Sequence, residues 1–314
     1  TARAVLRAIE LRQIDVVDAV RDRLAVDAAE AARRADAAVL LREDLPARLA
    51  ELPDSPDLLY IRGQLPAAAG VAIVGTRRAT TYGLRLARSF GHAVAAAGWP
   101  VISGLARGID GAAHIGCLDA GGIGVAVLGC GIDVAYPSEH RRLATRLLEG
   151  GGAVVSEYAP GAPPEGWRFP PRNRIISGLA PAVVVVEAGV KGGALITAAR
   201  GLEQGRLVLA VPGDIGRETS RGTNLLIRDG AHPVLDVDDL LTSLTFVLGA
   251  PPRPPATMAA TDDPILGLVR GGGMTLEALA GALDCSASEL IGRVSLLEAT
   301  GAVRNEGGVI SVRT

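Results

Sequence analysis

Val71-Ala72-Ile73-Val74-Gly75-Thr76-Arg77-Arg78 is an apolar run that breaks at a glycine, a hydroxyl and two cations. Pro100-Val101-Ile102-Ser103-Gly104-Leu105-Ala106-Arg107-Gly108-Ile109-Asp110 repeats the pattern about thirty residues on. Helical spacing follows each break, over about 80–97 and 109–120. Two strand-to-helix crossings in succession predict neighbouring parallel strands, and in an open parallel sheet ligands bind beyond the carboxyl ends of the strands. Both turns hold what an anion needs there: glycines for close backbone approach, a hydroxyl, an arginine and a helix N-terminus. Glycine turns with solvated arginines also occur in doubly wound proteins that bind nothing at that point.

Outward from this stretch the period continues. Strand candidates lie at 71–75, 100–103, 124–129, 153–157, 182–188 and 207–212, with a weaker one at 233–236, and helical patterns separate most of them. Ala182-Val183-Val184-Val185-Val186 shows no alternation, as expected of a strand covered on both faces. The fold class read from this is α/β, an extended Rossmann-like, mainly parallel sheet over residues 46–244. Residues 1–45 predict short helices, and the proline-rich 45–65 reads as a wrapping linker. A Pro-rich linker over 245–260 leads to a small C-terminal domain at 261–314. There three short helices precede two strands about a Gly-Gly turn, a winged-helix pattern.

Of the 314 residues 48% are hydrophobic, yet no run of eighteen apolar residues lacks charge or glycine, and no secretory leader pattern is present. The expectation is a cytoplasmic protein without a membrane span. Cys117, Cys130 and Cys285 have no metal-ligand spacing and read as reduced thiols, and neither a metal nor a cofactor is expected. Net charge is −2, which alone argues against a nucleic-acid binder. Its distribution argues otherwise. Residues 61–231 carry eighteen Lys and Arg against twelve acids, whereas 232–314 carry five against ten.

The strand ends collect Arg77, Arg107, Arg141, Arg172, Arg174 and Lys191 on one predicted rim, more cations than one mononucleotide needs. Phe169, Trp167 and Tyr158 fall in the same loop region. A cationic track beside aromatic rings is how single-stranded nucleic acid is held, and about four phosphates are expected on it. Glu157 and Glu187 read either as helix caps and arginine partners or as catalytic carboxylates, and Asp110 as a helix cap. No nucleophile with its base is apparent, so no catalytic residue is expected.

Val71–Gly83, Ser103–His114, Gly129–Pro137, Phe169–Gly178, Ala194–Ala198 and Pro212–Asn224, taken in order, resemble the DNA-processing protein A family, also called DprA or Smf. The resemblance covers roughly 45–240. It implies a single-stranded-DNA-binding protein, a homodimer, that protects incoming DNA and helps load the RecA recombinase in natural transformation. The family's Gly-Ser-Arg turn falls on Gly75, Thr76 and Arg77, with threonine keeping the hydroxyl. Its Ser-Gly-x-Ala-x-Gly-x-Asp turn falls on Ser103, Gly104, Ala106, Gly108 and Asp110, and its Phe-Pro-x-Arg-Asn motif on Phe169, Pro170, Arg172 and Asn173. Gly192-Gly193-Ala194-Leu195 loses a hydroxyl at a helix start. The DNA-binding set expected is Gly75, Thr76, Arg77, Ser103, Gly104, Arg107, Gly108, Arg141, Phe169, Arg172, Asn173, Lys191 and Gly193. The family's N-terminal helical domain would be represented only by residues 1–45. The rival reading is a Rossmann-like enzyme cleaving the N-glycosidic bond of a nucleotide through Glu157 or Glu187, although the Pro-Gly-Gly-x-Gly-Thr signature of such hydrolases is missing.

Overall fold

Val71 and Ile73 point to one face of their strand and Ala72 and Val74 to the other, and all four are buried. That single fact requires a sheet with cover on both sides. The computed structural model describes residues 27–252, 264–269, 272–283, 285–299, 303–306 and 308–312. It divides into two compact units, residues 1–254 and 255–314.

The first unit is built on a nine-stranded sheet. Its strands are β1 (Ala38–Leu41), β2 (Leu58–Gly63), β3 (Val71–Val74), β4 (Val101–Ser103), β5 (Gly124–Leu128), β6 (Ala153–Ser156), β7 (Ala182–Val185), β8 (Leu207–Ala210) and β9 (His232–Pro233). They lie in the order β1-β2-β6-β5-β4-β3-β7-β8-β9. From β6 to β9 all neighbours run parallel, with Val71 opposite both Val101 and Ala182 in register. The helices are α1 (Ala47–Ala50), α2 (Thr81–Ala96), α3 (Ile109–Asp119), α4 (Arg141–Glu149), α5 (Phe169–Gly178), α6 (Gly193–Glu203), α7 (Glu218–Arg228) and α8 (Val237–Leu248).

Two expectations for the N-terminal part need correcting. Residues 27–34 are helical, but Ala38–Leu41 is a strand where short helices were expected. Leu58–Gly63, inside the expected linker 45–65, is also a strand. β1 pairs antiparallel with β2, and β2 with β6, so the sheet begins before residue 46. The cause is long-range: β6 pairs with β2, and Leu59, Tyr60 and Ile61 are buried among residues distant in sequence. The helical expectation for 1–26 lies outside the described residues.

The two faces bury different helices. Phe90 and Val94 of α2, Ile109 and Cys117 of α3, and Leu240 of α8 pack with Val71, Ile73 and Val184. Ile175 and Ile176 of α5 and Ala194 and Ala198 of α6 pack with Ala72, Val74, Val183 and Val185. Each such large side chain removed from water contributes about 1.5–3 kcal/mol. β3 and β7 are neighbours, yet α2 after β3 covers one face and α6 after β7 the other. Their loops therefore part, and the opening between them is the switch-point crevice where doubly wound sheets bind ligands.

The second unit consists of α9 (Pro264–Val269), α10 (Leu276–Leu283) and α11 (Ala287–Ala299) with an antiparallel sheet. Its strands β10 (Met274–Thr275), β11 (Val303–Glu306) and β12 (Val309–Val312) lie in the order β10-β12-β11. Ile265, Leu279, Leu290, Val294 and Ile310 form its core.

His114 on α3 is fully buried, and neither ring nitrogen has a hydrogen-bond partner among the described residues. Burial, with a smaller push from His140, lowers its pKa from 6.5 to about 3. The unfolded chain takes up this proton below 6.5 while the folded chain refuses it until about 3. Stability is therefore full above pH 6.5 and is lost as pH falls toward 3, at up to about 1.4 kcal/mol per pH unit. Urea unfolding at pH 7.5 and 5.5 should show a smaller acid loss in His114→Leu than in the wild type; equal losses would contradict this.

Candidate nucleic-acid interface

The turn after β3 is held from below. Thr76 N–H donates to the carbonyl of Glu187 at 2.7 Å, and Glu187 stands just beyond β7. The Glu187 carboxylate, 4% exposed, accepts from Thr80 N–H at 2.9 Å and from the Thr80 hydroxyl at 2.6 Å. The same hydroxyl accepts from Gly83 N–H at 3.0 Å and caps α2. A Cβ at Gly83 would collide with that carboxylate, so glycine is required there.

The turn after β4 is built the same way. Asp110, in the first turn of α3 and 5% exposed, accepts from Gly104 N–H at 3.1 Å, and the backbone of Ala106 and Gly75 also hydrogen-bonds to it. Burial raises its pKa, and the nearby Arg172 and these amides pull the other way. Gly108, at φ +77, starts α3 against the carbonyl of Thr76. Ile109 N–H donates to that carbonyl at 3.3 Å, and Gly111 N–H to the carbonyl of Ala106 at 3.0 Å. Both helix N-termini are thus occupied by the protein's own acceptors. They are not the two open phosphate cradles that the sequence suggested.

Arg172 is likewise internal. At 4% exposure it donates to the carbonyl of Gly104 at 2.9 Å, to the carbonyl of Val127, and to Asn173 Oδ1 at 3.3 Å. Burial lowers its pKa to about 10, with Asp110 opposing the shift. Asn173 in turn donates to the carbonyl of Gly193 at 3.2 Å and fixes the start of α6. Ser103 is fully buried, its hydroxyl donated to the carbonyl of Ile73 at 2.6 Å. Arg174 does not line the cleft and is paired with Glu157 at 2.6 Å and Asp54 at 3.6 Å. The two carboxylates considered for catalysis, Glu157 and Glu187, are therefore both engaged.

What remains open is a cleft of ≈ 660 Å³ that gathers Gly75, Thr76, Arg77, Phe169, Arg172, Asn173 and Gly193. Arg77 is exposed, and its guanidinium lies 4.9 Å from the centroid of the Phe169 ring. Tyr136 packs on Phe169 at 5.5 Å, and a Cβ on Gly129 would stand 2.6 Å from that ring. Phe169 is therefore clamped and half-buried. α6 starts at Gly193 with no side-chain cap and no acid in its first turn, and space beside Gly193 is open. Lys191 is exposed in the preceding turn. Gly104 and Arg107 line a small pocket of ≈ 30 Å³ beside Phe169 instead, and Arg107 is ion-paired with Glu139. Arg141, exposed at the start of α4, does not line either cavity. Tyr136 and Thr80 were not singled out from sequence. Thr80, three residues before Gly83, carried a readable capping signal, whereas the Tyr136 contact is long-range.

The fold and this cleft define a doubly wound α/β protein with a cationic, aromatic-edged opening at its switch point. The sequence model of DNA recombination-mediator protein A matches residues 37–245, and the chain belongs to that family. It is 46% identical over 208 residues to Protein Smf of Escherichia coli, covering 66% of this chain and 56% of that protein. DNA processing protein DprA of Streptococcus pneumoniae is 39% identical over 209 residues, covering 66% and 73%. The crystal structure of that protein superposes with a TM-score of 0.61 over 65% of this chain and 73% of that one. DNA processing protein A from Helicobacter pylori, described for its single-stranded DNA binding mode, gives 0.61 at 26% identity over 67% and 96%. The match spans little more than half the length of the Escherichia coli and Synechocystis relatives. Among the described residues no helix is long and apolar enough to cross a membrane, and no group of metal-capable side chains is found.

Removing the internal cap has a defined consequence. Glu187→Ala leaves Thr80 N–H without its charged acceptor and should lower the unfolding free energy by about 1.5–3 kcal/mol. Glu187→Gln keeps an acceptor oxygen and should lose less. Urea unfolding followed by circular dichroism measures both, and an Ala variant as stable as the wild type would contradict the capping role.

Proposed function

We propose that the cleft under Arg77 binds single-stranded DNA without strong sequence preference. The observation that carries this reading is the Arg77 guanidinium. It is exposed, lies over the Phe169 ring, and shares the cleft with the start of α6, which has no side-chain cap, with no carboxylate paired to it among the described residues. A phosphate there meets a charge-assisted donor and backbone N–H groups together. Family membership supports the reading, and so does the single-stranded DNA binding of the Helicobacter pylori relative.

Arg77, Thr76, Lys191 and Gly193 would hold phosphates, and Arg107 would join by releasing Glu139. Gly75 shapes the turn. Ser103, Gly104, Gly108, Arg172 and Asn173 act by positioning it, and Arg141 would extend the track. The protein works as a binder rather than an enzyme, in the cytoplasm, as a homodimer. It protects incoming strands and helps load RecA during natural transformation and recombination. The C-terminal unit is a winged helix that serves a partner rather than the DNA, because residues 255–314 carry four cations against seven acids. A surface of that sign repels a duplex.

Titration of labelled oligo(dT) tests this. Arg77→Ala should weaken binding about ten- to a hundredfold, from a charge-assisted contact of about 1.5–3 kcal/mol. With Arg172 engaged internally, about three phosphates remain to be neutralised, so log affinity should fall against log salt with a slope near about −2. Deleting the residues after 252 should leave the affinity within a fewfold. An Arg77→Ala affinity within twofold of the wild type, or equal binding of duplex, would overturn the reading.

A further inference from the structure

Trp167 is 63% exposed, whereas Tyr136, Tyr158 and Phe169 are half-buried. Trp167 sits between Gly166 and Phe169, and both Gly166 and Phe169 line the cleft. An exposed tryptophan on a mobile loop would mean little. This one is fixed from every side that is not solvent. Its indole N–H donates to Glu165 Oε2 at 2.8 Å, and the same carboxylate oxygen lies 3.4 Å from the Arg168 guanidinium. The Arg168 guanidinium faces both rings, 4.7 Å from the centroid of Trp167 and 5.4 Å from that of Tyr158. It also donates to the carbonyl of Pro163. Tyr158 meets Trp167 edge-on at 6.4 Å, and its hydroxyl donates to the carbonyl of Arg168 at 3.0 Å. The stack is anchored to the sheet. Tyr158 N–H donates to Ser156 Oγ at 3.0 Å, and that buried hydroxyl donates to the carbonyl of Cys130 at 2.6 Å.

Phe169, the ring the family motif points to, has little left to offer a base. Arg77 lies over it, Tyr136 packs on it, and Gly129 admits its edge. A strand whose phosphates lie on Arg77 still needs an apolar surface for its bases, and Trp167 provides one. We propose that Trp167 is the base-stacking platform of the protein, taking one unpaired base of any sequence on the ring face that Arg168 does not cover. The Tyr158–Arg168–Trp167 stack holds that face ready, so little side-chain freedom is lost on binding. This deepens the single-stranded DNA reading and rests on it.

The chain has two tryptophans, and the other, Trp99, is 2% exposed. Emission that responds to a ligand at the surface therefore reports Trp167. The test titrates the full chain with oligo(dT) and with an abasic oligonucleotide of equal length, reading tryptophan emission and the anisotropy of labelled strand together. Oligo(dT) should quench the wild-type emission more than the abasic strand does. Trp167→Ala should bind oligo(dT) about five- to 150-fold more weakly, the usual range for one stacked base. Trp167→Phe should recover most of that loss. All three proteins should bind the abasic strand alike. Wild-type binding seen by anisotropy without quenching, or a Trp167→Ala affinity for oligo(dT) equal to that of the wild type, would overturn the platform and leave the phosphate site under Arg77 standing. An absence of any binding by the wild type would overturn both.

Discussion

A carboxylate taken out of water must be met by donors, or it destabilises the fold by several kcal/mol. Asp110 and Glu187 meet that requirement at the carboxyl edge of the sheet, and the shape of the edge follows from it. Asp110 draws in the backbone of Gly104, Ala106 and Gly75, which ties the turns after β3 and β4 to the start of α3. Arg172 answers from α5 by holding the carbonyls of Gly104 and Val127, and Gly104 is a glycine because a Cβ would stand 2.7 Å from both Asp110 Oδ2 and Arg172 Nη2. Glu187 holds the backbone and hydroxyl of Thr80, the residue that caps α2.

Function follows from what this internal network leaves over. Of the helices that begin at the crevice, α2 and α3 have their N-termini filled by side chains or carbonyls of the protein. α6 opens to the cleft with no side-chain cap and no acid in its first turn. The cations divide in the same way. Arg172 and Arg174 are engaged in building the edge, Arg107 is paired on its far side, and Arg77 and Lys191 face water. In the proposed reading an anion would meet side-chain cations rather than a glycine cradle, which favours a chain of phosphates over one tightly held nucleotide.

Much of the core was legible in the sequence because its strands are local signals. Val71–Val74 and Ala182–Val185 are β-branched or small, short, and ended by glycine or glutamate, and each is followed by helical spacing. β1 and β2 were not legible. Leu58–Gly63 follows three prolines and carries Arg62, and it becomes a strand only through pairing with β6 almost a hundred residues away. Thr80 caps α2 as its local spacing suggests, whereas Glu187 reaches Thr80 across 107 residues and Asp110 accepts from the loop amide of Gly104 rather than capping its helix. The burial of Ser103 and Arg172 could not be read in the same way. A serine and an arginine after a strand look alike whether they face a ligand or a neighbouring carbonyl, and only the packing of α5 against β5 decides it.

The central claim is that the protein's own side chains and carbonyls close the starts of α2 and α3 and leave the start of α6, with Arg77, for the strand. Backbone amide shifts of the ¹⁵N-labelled protein during titration with a short oligo(dT) test it residue by residue. The largest changes should fall on Gly192, Gly193 and Ala194 and on the Arg77 side chain, with small changes at Tyr82, Gly83, Ile109 and Gly111. Shifts at the starts of α2 and α3 equal to or larger than those at α6, or no shifts at all, would contradict the claim.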